Sequence, residues 1–248
     1  MPLSILALIA LITFAASIIQ GMVGFGFGMI TIPLFLAAGL DLPESIILAT
    51  ATSMAHTGLA TYELRAHLNW KNLKPAIIWR SIGLPIGILA LGYIDHNWPI
   101  EQTKQLVGVS TLVVIALQIS KARARGISSN PLSAIGAFFL SGFMAGSIGM
   151  GGPPMVLWVT SQNWRVQSAK AFIIASIACS LPLNLIFLYL KFPDKFNQVL
   201  LPAAWSLIAV IIGLRLGLKV SQLWSEERLK KGIYIVLGLI AFKLVINI

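Results

Sequence analysis

The string Gly21-Met22-Val23-Gly24-Phe25-Gly26-Phe27-Gly28 interrupts an uncharged stretch of 36 residues, Leu3 to Ala38. A lipid-spanning helix has no use for so many glycines. In hydrocarbon every backbone N–H and C=O needs a partner, so a broken helix is tolerated only where protein encloses it or where it lines a wet cavity. A second string, Gly146-Ser147-Ile148-Gly149-Met150-Gly151-Gly152-Pro153-Pro154, interrupts a later uncharged stretch. Two breaks in corresponding places of a chain point to the binding site of a transporter.

The composition sets the medium. With 57% hydrophobic residues, 10% charged residues and a mean hydropathy of +0.87, the chain is far more apolar than globular domains, which run near 25% charged. It reads as an integral membrane protein. Its apolar runs are too long for barrel strands of about ten residues and approach the roughly 20 residues of a spanning helix, so the fold class is an all-α bundle. The segments fall at 3–20, 27–39, 44–62, 73–94, 103–120, 131–147, 153–163, 170–190, 198–218 and 229–247. Segments 27–39 and 153–163 are too short to cross a core of roughly 30 Å and read as half-helices. Met1-Pro2-Leu3-Ser4 lacks the positive start of a secretory signal, so structure is expected from residue 3 onward.

The chain also repeats itself. Gly21, Gly24 and Gly26 recur as Gly146, Gly149 and Gly151, Pro75 as Pro202, and Trp98, Glu101 and Lys104 as Trp224, Glu227 and Lys230, all at offsets of 125 to 127 residues. Two repeats follow, 1–125 and 126–248, joined through the basic linker around Lys121, Arg123 and Arg125. Basic residues then decide how each break is threaded. If each broken stretch enters and returns to one side, connections 63–74, 121–130, 164–170 and 215–231 share a face with 13 Lys and Arg, and the opposite face keeps only Lys104, Lys191 and Lys195. If each broken stretch crosses once, the two faces are equal. The positive-inside rule selects the first model and makes the 13-residue face cytoplasmic. Each repeat becomes a re-entrant hairpin plus three transmembrane helices, an odd number of crossings, which makes the repeats inverted. The net charge of +10 is thereby a topology signal rather than a nucleic-acid footprint.

The two glycine strings, the first followed by Pro33 and the second closed by Pro153 and Pro154, resemble those of the sulfite exporter TauE/SafE family, also called the toluenesulfonate uptake permease family, over essentially the whole length. Where many relatives have consecutive glycines, this chain alternates Gly with Phe25 and Phe27. The resemblance implies transport of sulfite or small organosulfur anions across a prokaryotic inner membrane.

Small-xxx-small spacings such as Gly24/Gly28, Gly142/Gly146 and Gly83/Gly87 also serve close helix packing. That reading suits Gly83/Gly87 well and the two strings less, because packing needs one small residue per turn. For the strings, the functional reading is that each ends one leg and opens a half-helix whose free N–H groups and positive dipole end suit an oxyanion. The candidate donors are Gly24, Gly26 and Gly28 at the first tip, and Gly149, Gly151, Gly152, Met155 and Val156 at the second, with the Ser147 hydroxyl beside them. Pro153 and Pro154 fit the first turn, where a missing N–H is tolerated, and remove two donors. Thr50, Ser53 and Thr57 share one helical face, as do Ser176, Ser180 and Asn184; they line a pathway or glue helices together. Among intramembrane ionisable residues His56 is the path-lining candidate. Arg80, Arg215 and Lys243 are expected to snorkel to the nearer face, leaving the tips without Lys or Arg. Trp70, Trp98, Trp164 and Trp224 read as interfacial anchors.

An enzyme is not expected. Ser147 and His56 are the only pair resembling a nucleophile and base, and the string around Ser147 lacks the first glycine of a nucleophile elbow. No Walker A pattern or metal-ligand spacing occurs, and the single cysteine, Cys179, excludes a disulfide within one chain. No metal or cofactor is expected. The expected partners are the bilayer, a small anion such as sulfite or a sulfonate, and a second copy of the chain in a homodimer. All eight acidic residues lie in or beside connections, leaving no buried carboxylate for a proton relay. Uncoupled export by alternating access is therefore favoured, with an anion or small-solute channel and a proton-coupled sulfonate uptake permease as the alternatives.

Overall fold

The computed structural model describes residues 3–121, 130–162, 164–220 and 226–246, and every regular element among them is helical. The order is α1 (Leu3–Val23), α2 (Phe27–Ala37), α3 (Leu42–Leu64), a 3-10 turn (Arg65–His67), α4 (Trp70–Asn97) and α5 (Ile100–Lys121). Then come α6 (Pro131–Ile148), α7 (Gly152–Thr160), α8 (Val166–Lys191), α9 (Pro193–Val220) and α10 (Glu226–Ile246). The ten segments read from the sequence correspond one to one with these helices. Most of the basic linker, and Trp224, lie outside the described residues.

Six helices are long and apolar enough to cross a membrane by length and composition: α1, α4, the first 20 residues of α5, α6, α8 and α9. Helix α3, at 23 residues, is as long but carries Thr50, Thr52, Ser53, His56 and Thr57 as buried polar side chains. Its polar face is turned into the bundle. Large apolar side chains such as Leu89, Leu190, Ile208 and Leu239 are exposed on the outside, where lipid takes the place of a partner.

Both expected breaks are present. Helix α1 stops at Val23 and α2 starts at Phe27; α6 stops at Ile148 and α7 starts at Gly152. Helix α2 has 11 residues and α7 has 9. At 1.5 Å per residue these reach about 16 and 13 Å, half of a hydrocarbon core. The turns use left-handed backbone at Gly24 (φ 88°), Gly26 (φ 104°) and Gly149 (φ 71°), a region that side chains with a Cβ enter at a cost.

Glycine stripes set the close helix pairs. A Cβ on Gly83 or Gly87 of α4 would strike the carbonyls of Phe139 or Phe143 in α6, and one on Gly142 or Gly146 of α6 would strike those of Arg80 or Leu84 in α4. The backbones therefore approach as in small-xxx-small pairs. Helices α1 and α9 do the same: Gly213 and Gly217 back onto the Phe14 and Ile18 carbonyls, and Ser17 Oγ donates to Val210 O at 2.7 Å. Further contacts join α3 to α8, α5 to α10, α2 to α10 and α5 to α7. Exchanging α1–α5 with α6–α10 in order leaves these pairings unchanged.

The connections gather at two ends. Lys195 at the start of α9 pairs with Asp41, before α3, at 2.8 Å and with Asp95, near the end of α4, at 2.7 Å. At the other end, His67, Asn69 and Asn72 line one pocket with Trp164, Arg165 and Ser168. In a Cys179→Ser background, single cysteines in Asp95→Cys and Lys195→Cys should react with a membrane-impermeant thiol reagent from one face, and Lys71→Cys from the opposite face. Labelling of all three from one face would contradict this arrangement.

Candidate functional site

The two breaks meet. A Cβ added to Gly28, in the first turn of α2, would strike the carbonyl of Gly149, so the hairpin tips touch backbone to backbone. Beside the contact lies a cavity of about 60 Å³. Its wall includes Gly26, Phe27, Gly28 and Met29 from the first tip, and Gly149, Met150, Gly151, Gly152 and Pro153 from the second. Gln20, Thr50, Ser53, Arg80 and Asn184 supply the polar side chains around them.

The helix starts determine which amides are free. In α2 the first intrahelical bond is Ile30 N–H to Gly26 O, at 3.1 Å, which leaves the N–H groups of Gly26, Phe27, Gly28 and Met29 without helical acceptors. Helix α7 begins at Gly152 with Gly151 as its cap, and Pro153 and Pro154 have no N–H. Gly151 and Gly152 are donors without helical acceptors, and Met155 N–H makes no hydrogen bond to the cap carbonyl, Gly151 O, which accepts from Arg80 and Ser141 instead. Val156 lies one residue further into the helix. The two prolines leave the second tip with fewer amides than the first.

Arg80 stands where the donors are fewest. The sequence reading sends it to the surface; the structure holds it inside, 3% exposed. Its Nε donates to Ser180 Oγ at 2.7 Å, and its Nη1 donates to Ser141 Oγ and, at 3.3 Å, to Gly151 O. Ser141 Oγ in turn donates to Gly151 O. Helix α4 extends out to Trp70, so ten residues, about 15 Å, separate Arg80 from the end of its helix. That is too far for the side chain to snorkel to the end of the helix, and three acceptors from α6, α7's cap and α8 hold it instead. No ion pair joins the Arg80 guanidinium to a carboxylate among the described residues. A buried charge left uncompensated in this way is costly. The tips are therefore not free of Arg, contrary to expectation. A second cation serves the first tip: Lys170 of α8 donates to Met22 O at 2.8 Å and lies over Gly24.

The remaining candidates divide. Thr50, Ser53 and Asn184 line the cavity, and Asn184 Nδ2 donates to Thr50 Oγ1 at 3.4 Å. Ser147, Ser176 and Thr57 turn their hydroxyls back to the carbonyls of Phe143, Phe172 and Ser53, and none of the three is on the cavity wall. Gly24 is a hinge of the turn rather than part of the wall. His56 is buried behind Phe27, with ring centroids 5.0 Å apart and both ring nitrogens unpartnered. Trp164 is not a lone anchor but packs edge-on against Trp158 and Phe172. Gln20, Arg80 and Ser141 were missed. Only Arg80 carried a signal, since an ionisable residue inside a membrane segment is a functional candidate by default.

The family model described as Sulfite exporter TauE/SafE matches residues 9–244, and the chain belongs to that family. It is a multi-pass membrane transporter of the sulfite exporter type. No match is found among curated proteins or among solved structures.

The glycines can be tested apart from one another. Gly28→Ala drives a methyl into the Gly149 carbonyl and should lower the unfolding temperature of the purified protein, at a cost of about 1–3 kcal/mol. A Cβ on Gly152 meets only Phe25 Cβ, at 3.9 Å, so Gly152→Ala should melt like the parent while weakening anion binding. Equal melting of all three proteins would contradict the tip contact.

Proposed function

We propose that this member of the sulfite exporter TauE/SafE family exports sulfite or a comparably small organosulfur anion across the prokaryotic inner membrane, alternating access around the two hairpin tips. The observation that carries the reading is Arg80. A guanidinium without a carboxylate, beside two sets of free helix-start amides, is neutralised by an anion that enters the cavity. The substrate replaces the counter-charge that the chain withholds.

Size narrows the substrate. On a scale where one water needs about 10–15 Å³, the 60 Å³ hold roughly four to six waters. This suits sulfite and leaves no room for an aromatic sulfonate unless the tips part. Parting is what alternating access requires. The exchange of α1–α5 with α6–α10 in the helix pairings supports two inverted repeats, 1–125 and 126–248, that rock against each other. The grouping of connections supports re-entrant hairpins, with 63–74 and 164–170 at the cytoplasmic end and Asp41, Asp95 and Lys195 at the outer end.

The direction follows from charge. None of the described acidic residues lines the cavity, so the wall offers no carboxylate to bring a proton in with the substrate. An inside-negative potential of 100 mV is worth about 2.3 kcal/mol per elementary charge and drives a monoanion outward unaided.

In proteoliposomes, sulfite efflux should accelerate when the interior is made negative. Arg80→Gln should slow it by about thirtyfold, the equivalent of about 2 kcal/mol for a lost charge-assisted bond. Strict dependence on a proton or sodium gradient would contradict uncoupled export. Single-channel currents would replace the carrier with a pore.

A further inference from the structure

The cavity wall is not made of donors alone. Gln20, in the last turns of α1, and Asn184, in α8, are each 3% exposed, and each leaves its carboxamide oxygen, Gln20 Oε1 and Asn184 Oδ1, without a hydrogen-bond partner. Both residues line the same cavity as Arg80 and the free amides. The amide nitrogen of Asn184 donates to Thr50 Oγ1 at 3.4 Å, and its oxygen is the end left over. Buried acceptors without partners are rare in native structures and call for a reason.

A ligand that only accepts hydrogen bonds fits half of this site. The sulfite dianion, or a plain alkyl sulfonate, satisfies Arg80 and the helix-start amides but presents lone pairs to the two carboxamide oxygens. A ligand that keeps an O–H or N–H satisfies the donors and also gives one of these oxygens, or both in turn, the hydrogen that it lacks. Sites with buried polar groups discriminate strongly against an analogue that leaves those groups unpaired.

We propose that Gln20 and Asn184 are specificity residues, selecting a singly charged sulfur oxyanion that also carries a hydrogen-bond donor. Among inorganic anions this is singly protonated sulfite. Among organic ones it is a sulfonate with a hydroxyl or amino group close to the sulfur. The inference rests on the transport reading above and adds the chemistry of what is accepted.

The test is competition in proteoliposomes holding the full chain, with sulfite as the moving anion. Isethionate and propanesulfonate are the competitors, since they have nearly the same shape and differ by a hydroxyl in place of a methyl. Isethionate should inhibit sulfite flux at least tenfold more strongly. The ratio should fall toward one in Gln20→Met and Asn184→Leu, where the acceptor is replaced by an apolar group of similar size. Equal inhibition by the two competitors in the unmodified protein overturns the proposal whether or not either variant folds. It does so while leaving transport itself standing. A ratio that persists unchanged in folded, sulfite-transporting variants also overturns it. If the chain moves no sulfur oxyanion at all, the transport reading falls first and takes this one with it.

Discussion

Backbone amides cannot be left unpaired in hydrocarbon, and the whole arrangement follows from the two places where this chain breaks its helices. At Gly24–Gly26 and Gly149–Gly151 the N–H and C=O groups freed by the turns need protein or water around them. The two breaks meet inside the bundle, where Gly28 backs onto the Gly149 carbonyl and a cavity lies beside the contact. Glycine stripes anchor the first leg of each broken pair, packing α1 against α9 and α6 against α4. The result is a small polar cavity inside an apolar bundle.

Charge completes what the amides begin. Each tip receives one cation from the opposite half of the chain, Lys170 on Met22 O and Arg80 on Gly151 O. At the second tip, where Pro153 and Pro154 remove two donors, the cation is buried and without a carboxylate. A positive centre of this kind binds anions strongly in a low-dielectric site and repels cations. Gln20 and Asn184 then bring acceptors to a wall otherwise rich in donors, so the cavity is specified for more than charge alone.

Much of this was legible in the sequence, and the rest was hidden for identifiable reasons. The ten helices, the two breaks and the short lengths of α2 and α7 follow from hydropathy and glycine spacing, which are local signals. Thr50, Ser53 and Asn184 were singled out because each falls on a polar helical face, and the structure puts all three on the cavity wall. Arg80 was misplaced because the boundary of α4 was drawn at residue 73 rather than Trp70, and because its acceptors Ser141, Gly151 and Ser180 lie 61 to 100 residues away. No local pattern reports such partners. Ser147 and Ser176 lie off the cavity wall because hydroxyls in helices have an alternative in their own preceding turn, the carbonyl four residues back. Gln20 gave no signal beyond being one polar residue at the end of an apolar run.

The central claim is that the anion sits between the two hairpin tips, against Arg80. The most direct measurement is anomalous diffraction from crystals of the full chain soaked in selenite, an oxyanion of the same shape as sulfite with a heavier central atom. The account predicts a selenium peak within hydrogen-bond reach of the Arg80 guanidinium and the amides of Gly28 and Gly152, lost in Arg80→Gln crystals. A peak confined to the outer surface or to the pocket beside Arg165, with none between the tips of a protein that transports, would contradict it.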